Sequence, residues 1–375
     1  MRIGFDAKRA FLNSTGLGNY SRWLIQSLAT FYPDNNYLLY TPRITPDSRG
    51  NFLNTYRNIQ TILPRRKVLT SWWRTRGIVQ YLKRDAVELY HGLSHELPSG
   101  IRTSGIKSVL TVHDLIFMRF PEYFGRVNRA IYLAKLRYSC RVSNQIIAIS
   151  QRTKTDLMEL LNIPDHKISV VYQGCDAAFK TPCTAAQKKT VLKKFNITGD
   201  YVLSVGTIEE RKNLLVLIKA MAQVDSPIKL VVVGKQTRYA EEVKMAIHRY
   251  QLTDRMVFLE RVDFADLPAL YQSASVFVYP SRYEGFGIPV LEALNSGTPV
   301  IASTGSCLEE AGGPDSLYSD PDDAQDLATK INLVLNYAGL REKMITKGKE
   351  YSRNFDDDKL ATQLMAVYQK ILTHA

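Results

Sequence analysis

The chain has 375 residues, of which 45% are hydrophobic and 23% are charged, and its formal net charge is +13. This composition is typical of soluble globular proteins rather than of disordered chains, and the length suffices for two domains of ordinary size. No stretch reaches the roughly 18 consecutive apolar residues of a membrane span.

The N-terminus and the cysteines indicate a cytoplasmic protein. The first residues, MRIGFDAKRAFLNSTG, enter an apolar strand directly and lack the long apolar core and small-residue cleavage site of a signal peptide. Cys140, Cys175, Cys183 and Cys307 are scattered without a CxxC pair. We therefore expect reduced thiols and no structural zinc site, which would need tighter ligand spacing.

Short apolar segments alternate with helical patterns along the whole chain. The first series of predicted strands is MRIGFDA, NYLLYT, IQTILP, VELYHG, KSVLTVHD, NQIIAIS and ISVVYQG, and the second is YVLSVG, IKLVVVG, MVFLE, ASVFVYPS and TPVIAS. Apolar residues recur with helical spacing in residues 17–30, 126–142, 212–223, 239–250 and 287–296, and residues 356–375 also have a helical pattern. Such alternation predicts parallel sheets built from βαβ units, and two series predict an α/β protein with two Rossmann-like, doubly wound domains.

We place the two domains at residues 1–173 and 200–355. The polar segment 174–199, which contains Pro182 and five lysines, is the predicted linker, and the final helix, about 356–375, could cross back to the first domain. Ligands of open parallel sheets bind outside the carboxyl ends of the strands, and two such domains facing each other would leave a cleft there. The polar residues that directly follow strands are therefore the candidates, namely His91, His113, Asp114, Gly206, Gly234, Lys235 and residues 281–287.

The positive charge is concentrated in the first half of the chain. Residues 1–170 hold 25 basic and 11 acidic residues, a net charge of +14, whereas residues 171–375 hold 24 and 25, a net charge of −1. The densest stretch, residues 43–84, has ten basic residues and one acid, Asp47, and includes Arg65-Arg66-Lys67 and Trp72-Trp73-Arg74. A basic face with tryptophans suits an anionic membrane surface or an anionic substrate, while nucleic acid and an ordinary solvated surface are the competing interpretations.

A glycine loop leads into a helix in residues 283–303, YEGFGIPVLEALNSGTPVIAS. Free amides and the helix dipole make Gly285-Phe286-Gly287 a natural site for a phosphate or diphosphate. Glu284 and Glu292 would repel that anion, but they can accept hydrogen bonds from hydroxyl groups on either side of it. A nucleoside diphosphate sugar has this layout, although an ordinary loop acid and a helix-dipole acid are the alternative.

The same stretch closely resembles the signature of glycosyltransferase family four, a retaining group with the GT-B fold. Its elements are a glutamate, Gly-Phe-Gly, a second glutamate after seven intervening residues, and Gly-x-Pro-Val, and all of them stand in EGFGIPVLEALNSGTPV. GTIEERKN, LVVVGK and FLERVDFADLPALYQSASVFVYPSRYEGFG resemble further segments of the family, the last beginning at its base-binding turn. In the first half, STGLGNYSRWL resembles the family's glycine-rich loop, and LTVHD resembles the segment that holds its active-site histidine.

The resemblance implies roles for individual residues. Glu284 would contact the donor sugar, Glu292 would hold the ribose, and Lys212 would neutralise the diphosphate. Arg211 could supply a second positive charge, because Thr207 stands where the family often has an arginine. His113 would touch the donor sugar, although a histidine at a strand end often has only a structural role. The remaining predicted donor-binding residues are Gly16, Gly18, Gly206, Gly234, Lys235, Arg261, Val262, Gly285, Phe286, Gly287, Ile288 and Pro289.

The implied protein is a cytoplasmic hexosyltransferase, with the second domain binding a nucleotide diphosphate sugar and the first binding a saccharide or lipid-linked saccharide in polysaccharide assembly. UDP-glucose is the first choice of donor and GDP-mannose a close second. Asp320–Asp323 and Asp356–Asp358 look like a turn and a helix start, so we expect no metal, no cofactor and no nucleic-acid partner. The protein could be peripheral on the inner face of the plasma membrane. A nucleotide-sugar epimerase of the same fold and a non-catalytic nucleotide-sugar sensor are the alternatives.

Overall fold

The computed structural model describes residues 1–13, 15–46, 48–65 and 70–373. The chain divides into two compact units, a first unit of Met1–Gly174 with Phe355–Ala375 and a second unit of Cys175–Asn354. Asp47, Arg66 and Lys67, which the sequence analysis singled out, lie outside the described residues.

The strands of both units are short. They are β1 (Arg2–Asp6), β2 (Asn36–Tyr40), β3 (Ile59–Ile62), β4 (Leu89–Gly92), β5 (Lys107–Val112), β6 (Gln145–Ala148), β7 (Ile168–Val170), β8 (Tyr201–Val205), β9 (Lys229–Val233), β10 (Met256–Leu259), β11 (Val276–Tyr279), β12 (Val300–Ser303) and β13 (Leu317–Ser319).

Helices connect these strands. The α-helices are α1 (Lys8–Leu12), α2 (Gly16–Phe31), α3 (Thr70–Trp72), α4 (Ile78–Arg84), α5 (Ile116–Arg119), α6 (Arg126–Val142), α7 (Gln151–Leu161), α8 (Ala185–Lys194), α9 (Leu214–Met221), α10 (Ala240–Arg249), α11 (Leu267–Ser273), α12 (Ile288–Ser296), α13 (Leu308–Gly312), α14 (Ala324–Asn336), α15 (Ala338–Ser352) and α16 (Asp357–Thr373). A π-helical turn, Trp73–Gly77, joins α3 to α4. Short 3-10 turns are formed by Asn51–Thr55, Ile101–Thr103, Pro121–Tyr123, Asp165–Lys167, Ala177–Phe179, Glu210–Lys212, Thr253–Arg255, Phe264–Asp266 and Arg353–Phe355.

The first unit is a seven-stranded parallel sheet in the order β3-β2-β1-β4-β5-β6-β7. The sequences of its strands are short runs of apolar residues, as expected for a parallel sheet whose two faces are both covered by helices. Leu38, Leu110 and Ile146 are buried in one of its hydrophobic cores. The strand order reverses between β1 and β4, and the crevice at such a reversal is where open α/β sheets bind ligands.

Helix α16 completes the first unit, since residues 355–375 return to it. The indole Nε1 of Trp23 donates a hydrogen bond to Asp357 at 2.8 Å, and the Tyr368 hydroxyl lies 2.6 Å from Nδ1 of His91. Asp357 and Asp358 stand in the first turn of α16, where their charges oppose the positive end of the helix dipole.

The second unit is a six-stranded parallel sheet in the order β10-β9-β8-β11-β12-β13. Val202, Leu230, Val278 and Ile301, one from each of four strands, are buried in its core. Here the strand order reverses between β8 and β11, so the carboxyl ends of these two strands flank the expected ligand site.

The predicted parallel sheets and two Rossmann-like units are confirmed, and two details differ from the predictions. The segment 174–199 is not a simple linker, because α8 forms within it behind a capping box of Thr184 and Gln187, and Val191 of α8 is buried. Strand β13 was not predicted, since Leu317–Ser319 is too short to show alternation between turn residues.

The Trp72-Trp73-Arg74 motif does not face outward as a whole. Trp73 is buried in the core, and Arg74 pairs with Asp6 at 2.9 Å and with Glu96 at 2.5 Å. Only Trp72, at 56% exposure, presents its side chain to solvent, so the prediction of interfacial tryptophans is wrong for Trp73. Among the described residues, no helix is long and apolar enough to cross a membrane.

Candidate functional site

The backbone after β8 and β9 is tightly packed at Gly206 and Gly234. The Gly206 amide donates to the Val233 carbonyl at 2.8 Å, and the Gly234 amide donates to the Leu259 carbonyl at 2.9 Å. A Cβ atom on Gly234 would come within 1.9 Å of the Gly206 carbonyl oxygen, so a side chain there requires the backbone to move. These two glycines therefore allow the strand ends to approach each other beside the site.

Lys212 follows β8 on the turn Glu210–Lys212 and contacts the end of β11. Its ammonium donates to the hydroxyl of Tyr279 and to Oε1 of Glu284 at 2.5 Å. The same nitrogen lies 4.8 Å from the centre of the Tyr279 ring, within the range of a cation–π interaction. Tyr279 thus holds the ammonium by its hydroxyl and by its ring.

Arg211, beside Lys212, is engaged by protein acceptors. Its Nη1 donates to the Tyr283 carbonyl at 2.6 Å and lies 2.9 Å from Oε1 of Glu284. Its Nη2 donates to Glu209 at 2.5 Å. Arg211 therefore ties the turn after β8 to the loop after β11, whereas Lys212 has a single charged partner among the hydrogen bonds and ion pairs of the described residues.

The charges of this cluster stabilise one another. Burial alone would raise the pKa of Glu284, but Lys212 and Arg211 together outweigh it and lower that pKa to about 2. Burial has the largest single effect on the pKa of Lys212 and would lower it, but the charge and hydrogen bond of Glu284 together with Tyr279 outweigh burial and raise that pKa. Both groups are consequently charged at neutral pH, in a site where only 12% of the Glu284 side chain is exposed.

The glycine loop between Glu284 and α12 depends on the conformation of Gly287. Gly287 has φ of +117°, which side chains rarely adopt, and a Cβ there would lie 2.8 Å from the Leu308 side chain. The Cys307 sulfur lies 3.0 Å from the carbonyl oxygens of both Glu284 and Phe286 and anchors the loop from behind. Helix α12 begins at Ile288, so the positive end of its dipole is at this loop.

Glu292 lies on α12, one turn beyond the glycine loop. The Tyr271 hydroxyl donates to its Oε2 at 2.9 Å, so one carboxylate oxygen is held in place by a buried side chain. Burial raises the pKa of Glu292 to about 7, with a smaller effect from the charge of Asp176, while the Tyr271 hydrogen bond works in the other direction. The two glutamates of the signature therefore have opposite environments, one paired with cations and one with a neutral hydroxyl.

The other predicted donor-binding residues of the second unit lie at the same edge of the sheet. Lys235 is exposed and follows β9, and Arg261, exposed, and Val262, half-buried, follow β10. Phe286 is buried, and Pro289 lies in the first turn of α12, where its missing N–H has no cost. A small recess of about 20 Å³ between these strand ends is lined by Gly206, Lys212 and Tyr279 among others.

Three side chains at this site were not predicted from the sequence. They are Tyr279, Tyr271 and Cys307, which contact Lys212, Glu292 and the glycine loop respectively. Tyr279 could have been found, because it is the polar end of the otherwise apolar strand VFVY, directly before the loop. Tyr271 and Cys307 gave no such signal, since their roles depend on tertiary contacts.

Gly16 and Gly18 belong to the first unit, in the first turn of α2. A Cβ on Gly18 would lie 2.0 Å from the Asn13 carbonyl oxygen, so packing alone requires glycine there. Gly16 faces open space, with nothing within 4 Å of an added Cβ. Packing therefore explains why position 18 is a glycine, but it does not explain the glycine at position 16.

His113, also in the first unit, directly follows β5 and is buried. Its Nε2 lies 2.8 Å from the Leu93 carbonyl, which can only accept, so Nε2 carries the proton and Nδ1 the lone pair. Its backbone amide donates to His95 at 2.7 Å, and Tyr20 packs edge-on at 4.6 Å. Burial, and next the charge of His95, lower the pKa of His113 to about 3. The ring is therefore neutral and suited to accept a hydrogen bond from a hydroxyl group.

Metal ligands are not grouped in the part of the chain that the structure describes. No cluster of three or more His, Cys, Asp or Glu side chains could hold a metal ion there. Lys212, Arg211 and the start of α12 supply positive charge at the second unit's site.

Both halves of the chain match models of known families. Residues 24–179 match the model "Glycosyltransferase Family 4", and residues 187–351 match the model "Glycosyl transferases group 1". The chain is 27% identical over 386 residues to O-antigen chain mannosyltransferase B of Escherichia coli, covering 98% of this chain and 100% of that one. It is 29% identical over 267 residues to O-antigen chain mannosyltransferase RfbU of Salmonella typhimurium, covering 71% of this chain and 69% of that one.

A solved structure shares the fold over nearly the whole length. The Anabaena protein Alr3699/HepE, crystallised with UDP and glucose, superposes with a TM-score of 0.75 at 18% identity, covering 99% of this chain and 100% of that one. This likeness, with the two parallel α/β units, is that of the GT-B fold. Because these two family models match residues 24–179 and 187–351, the chain belongs to glycosyltransferase family four.

Proposed function

We propose that this glycosyltransferase is a retaining hexosyltransferase that moves a hexose from a nucleotide diphosphate sugar to a saccharide acceptor in polysaccharide assembly. The observation that carries the proposal is the pairing of Glu284 with Lys212 and Arg211, directly before a glycine loop and the start of α12. It provides cations for a diphosphate and a carboxylate for sugar hydroxyls within one site. Acceptor binding is assigned to the first unit.

The diphosphate is the part of the donor that this site fits best. The ammonium of Lys212 and the positive end of α12 both favour an anion, and Gly287 adopts a conformation that keeps side chains out of the loop. During transfer, the bond between the anomeric carbon and the diphosphate oxygen breaks, and negative charge builds up on the leaving diphosphate. A cation held in place before the reaction stabilises that charge without reorganisation.

Glu284 is proposed to position the sugar and not to attack it. Its Oε1 already accepts from Lys212 and lies 2.9 Å from Arg211, and the pKa of its carboxyl group is lowered to about 2. A carboxylate oxygen paired with two cations is a weak nucleophile but a good hydrogen-bond acceptor. The acceptor hydroxyl is proposed to form the new glycosidic bond on the face that the diphosphate leaves and to pass its proton to the departing diphosphate oxygen, which keeps the α configuration.

Glu292 and His113 are proposed to bind hydroxyl groups of the donor. Tyr271 fixes Oε2 of Glu292, which supports a role in holding the ribose. The neutral His113 ring has its lone pair on Nδ1, which supports a hydrogen bond from a sugar hydroxyl. Arg211 is proposed to act through Glu284 and the loop, since three protein acceptors already engage it.

We propose a mannosyl donor ahead of a glucosyl donor. The sequence alone favoured UDP-glucose with GDP-mannose close behind, and the similarity to two O-antigen chain mannosyltransferases now favours mannose. That similarity also supports a saccharide chain as the acceptor. We further propose that transfer needs no divalent metal, because Lys212 can supply the positive charge that a metal would bring.

A donor panel tests the proposal. The purified chain is mixed with GDP-mannose, UDP-glucose, UDP-galactose and the free diphosphates, and binding is read by thermal shift while slow donor hydrolysis is read by chromatography. We expect one donor to stabilise the protein and to be hydrolysed with release of its nucleoside diphosphate. Epimerised donor would indicate an epimerase instead, and binding without any turnover, even with added saccharides, would indicate a sensor.

A further inference from the structure

Helix α6 of the first unit has an outer face that mixes exposed apolar side chains with basic ones. Leu136 and Cys140 point into the core, and Val127 and Ile131, four residues apart, point away from it. Val127 is 73% exposed and Ile131 is 51% exposed. Aliphatic side chains so far out of a folded unit gain nothing from its core, and such clusters often mark interaction sites.

The charges on this helix have one sign. Its sequence, RVNRAIYLAKLRYSCRV, contains four arginines, one lysine and no acid. Among the described residues, no ion pair involves Arg126, Arg137 or Arg141, and all three are exposed. We call Arg126, Val127, Ile131, Arg137 and Arg141 the α6 surface.

The α6 surface adjoins the segment that carries the exposed Trp72. Glu96 pairs with Lys135 of α6 at 3.0 Å and with Arg74 of the π-helical turn at 2.5 Å, so one carboxylate links the two helical segments. Trp72, directly before that turn, is 56% exposed. An aromatic side chain of this kind is common where proteins meet the headgroups of a bilayer.

We propose that the α6 surface docks the protein on an anionic lipid bilayer. Basic side chains are attracted to anionic headgroups, and aliphatic side chains between them can enter the boundary with the acyl chains. A second copy of the chain is a poor occupant in a symmetric pairing, because Arg126, Arg137 and Arg141 would face the same three positive charges. Nucleic acid is a poorer occupant, because the exposed aliphatic Val127 and Ile131 gain from contact with acyl chains but not with phosphates, even though Trp72 and Tyr132 could stack on bases. The proposal does not rest on donor binding, which is assigned to the second unit.

The experiment measures partition of the full chain onto phosphatidylcholine vesicles with and without phosphatidylglycerol, by co-sedimentation. An apolar variant, Val127→Ser with Ile131→Ser, is compared with Met245→Ser on α10, where Met245 is 65% exposed. A charge variant, Arg126→Glu with Arg137→Glu, is compared with Arg238→Glu and Arg249→Glu in the second unit, which change the net charge equally. All substituted residues are exposed, so melting temperatures should match that of the wild type.

We expect binding to the anionic vesicles alone, and its loss near 0.5 M salt, where the Debye length is about 4 Å. The charge variant should lower the partition coefficient at least about 25-fold, because each basic residue near the surface contributes about fivefold. The apolar variant should lower it about tenfold, and both second-unit controls should bind like the wild type. The proposal is overturned if the wild type does not bind anionic vesicles, or if the apolar variant binds them as the wild type does. It is also overturned if the charge control in the second unit lowers the partition coefficient as much as Arg126→Glu with Arg137→Glu.

Discussion

The two glutamates of the signature should fail in different ways when each is replaced by glutamine. Glu292→Gln should weaken the binding of the free nucleoside diphosphate and of the intact donor equally, because both carry the ribose. Glu284→Gln should leave diphosphate affinity unchanged or improved, because it removes the carboxylate that competes for Lys212 at 2.5 Å and Arg211 at 2.9 Å. Its turnover should nevertheless fall, since only the transferred sugar loses a contact.

The expected losses of affinity in Glu292→Gln and of turnover in Glu284→Gln follow from the hydrogen bonds that each variant weakens. A hydrogen bond to a charged group contributes about 1.5–3 kcal/mol, so each loss should be between about tenfold and over a hundredfold. Glutamine keeps the shape of the side chain, and its amide oxygen can still accept from Tyr271 at position 292. Unfolding is therefore not expected for Glu292→Gln, whereas Glu284→Gln leaves Lys212 and Arg211 without their carboxylate and is assayed well below its own melting temperature.

The raised pKa of Glu292 gives the same prediction a pH dependence. With a pKa of about 7, the carboxylate is mostly protonated at pH 6 and mostly ionised at pH 8. If the ionised form holds the ribose, diphosphate affinity should rise about tenfold over this range. The rise should be absent in Glu292→Gln, whose own profile corrects for titration of the ligand's phosphates.

The contribution of Glu292 to the stability of the folded state should decrease as the pH rises, whereas diphosphate affinity should increase. Because folding raises the pKa of Glu292 above its ordinary value of 4.5, ionisation disfavours the folded state. This free-energy cost to the folded state is absent below about pH 4.5, grows up to about pH 7 and is then constant. At pH 8 Glu292→Gln should therefore unfold at a higher temperature than the wild type while binding nucleotide more weakly.

Calorimetry with the nucleoside diphosphate and its 2′,3′-dideoxy analogue, beside steady-state kinetics, separates the two roles. The wild type and Glu284→Gln should prefer the normal nucleotide, and Glu292→Gln should bind both nucleotides alike. The reasoning is refuted if both variants lose diphosphate affinity equally, or if Glu292→Gln still discriminates against the dideoxy form.

Four further predictions follow from the same cluster and its backbone. Lys212→Ala should cut turnover at least tenfold and weaken diphosphate binding, whereas the exposed Lys219→Ala should do neither; wild-type kinetics in the former would remove Lys212 from the mechanism. Tyr279→Phe, which keeps the ring but loses the hydroxyl, should lower kcat by up to about tenfold with little change in stability, and an unchanged kcat would show that the ring alone positions the ammonium. Gly234→Ala should destabilise the chain by about 1–3 kcal/mol in a melting experiment, because its methyl group would meet the Gly206 carbonyl, and unaltered melting would contradict that contact. Activity should survive EDTA, and its loss with recovery on added magnesium or manganese would reveal a metal site.

Much of the fold could be predicted because parallel strands buried on both faces leave apolar runs in the sequence. VLSV, LVVV and VFVY form β8, β9 and β11, and the glycine loop stands where the strand order reverses. The helix within residues 174–199 was missed because α8 buries little and exposes three of its four lysines, and its Thr184 capping box is a short signal. Trp73 was misjudged because a basic neighbourhood does not tell which way a single side chain points.

The sequence singled out Glu284, Lys212 and Arg211 but not the contacts between their side chains. Glu284 and Lys212 are 72 positions apart, and no pattern in the sequence indicates that their side chains meet. The same holds for Arg211, whose charge suggested a phosphate ligand, although its guanidinium joins Glu209 and the Tyr283 carbonyl. Tertiary contacts decide which of two adjacent cations keeps a site for an anion.

The position of Glu284 beside a loop proposed to bind an anion has an electrostatic explanation. Without Glu284, Lys212 and Arg211 would lie close together in a site that burial makes costly for charge. Glu284 offsets that cost in the absence of donor, and its low pKa keeps it charged while it does so. A diphosphate that binds beside it can then share the Lys212 ammonium, and Glu284 becomes free to accept hydrogen bonds from the sugar. The same pairing that stabilises the empty site would thus place the sugar-binding carboxylate next to the bond that breaks, which is why removing Glu284 should spare nucleotide binding and reduce transfer.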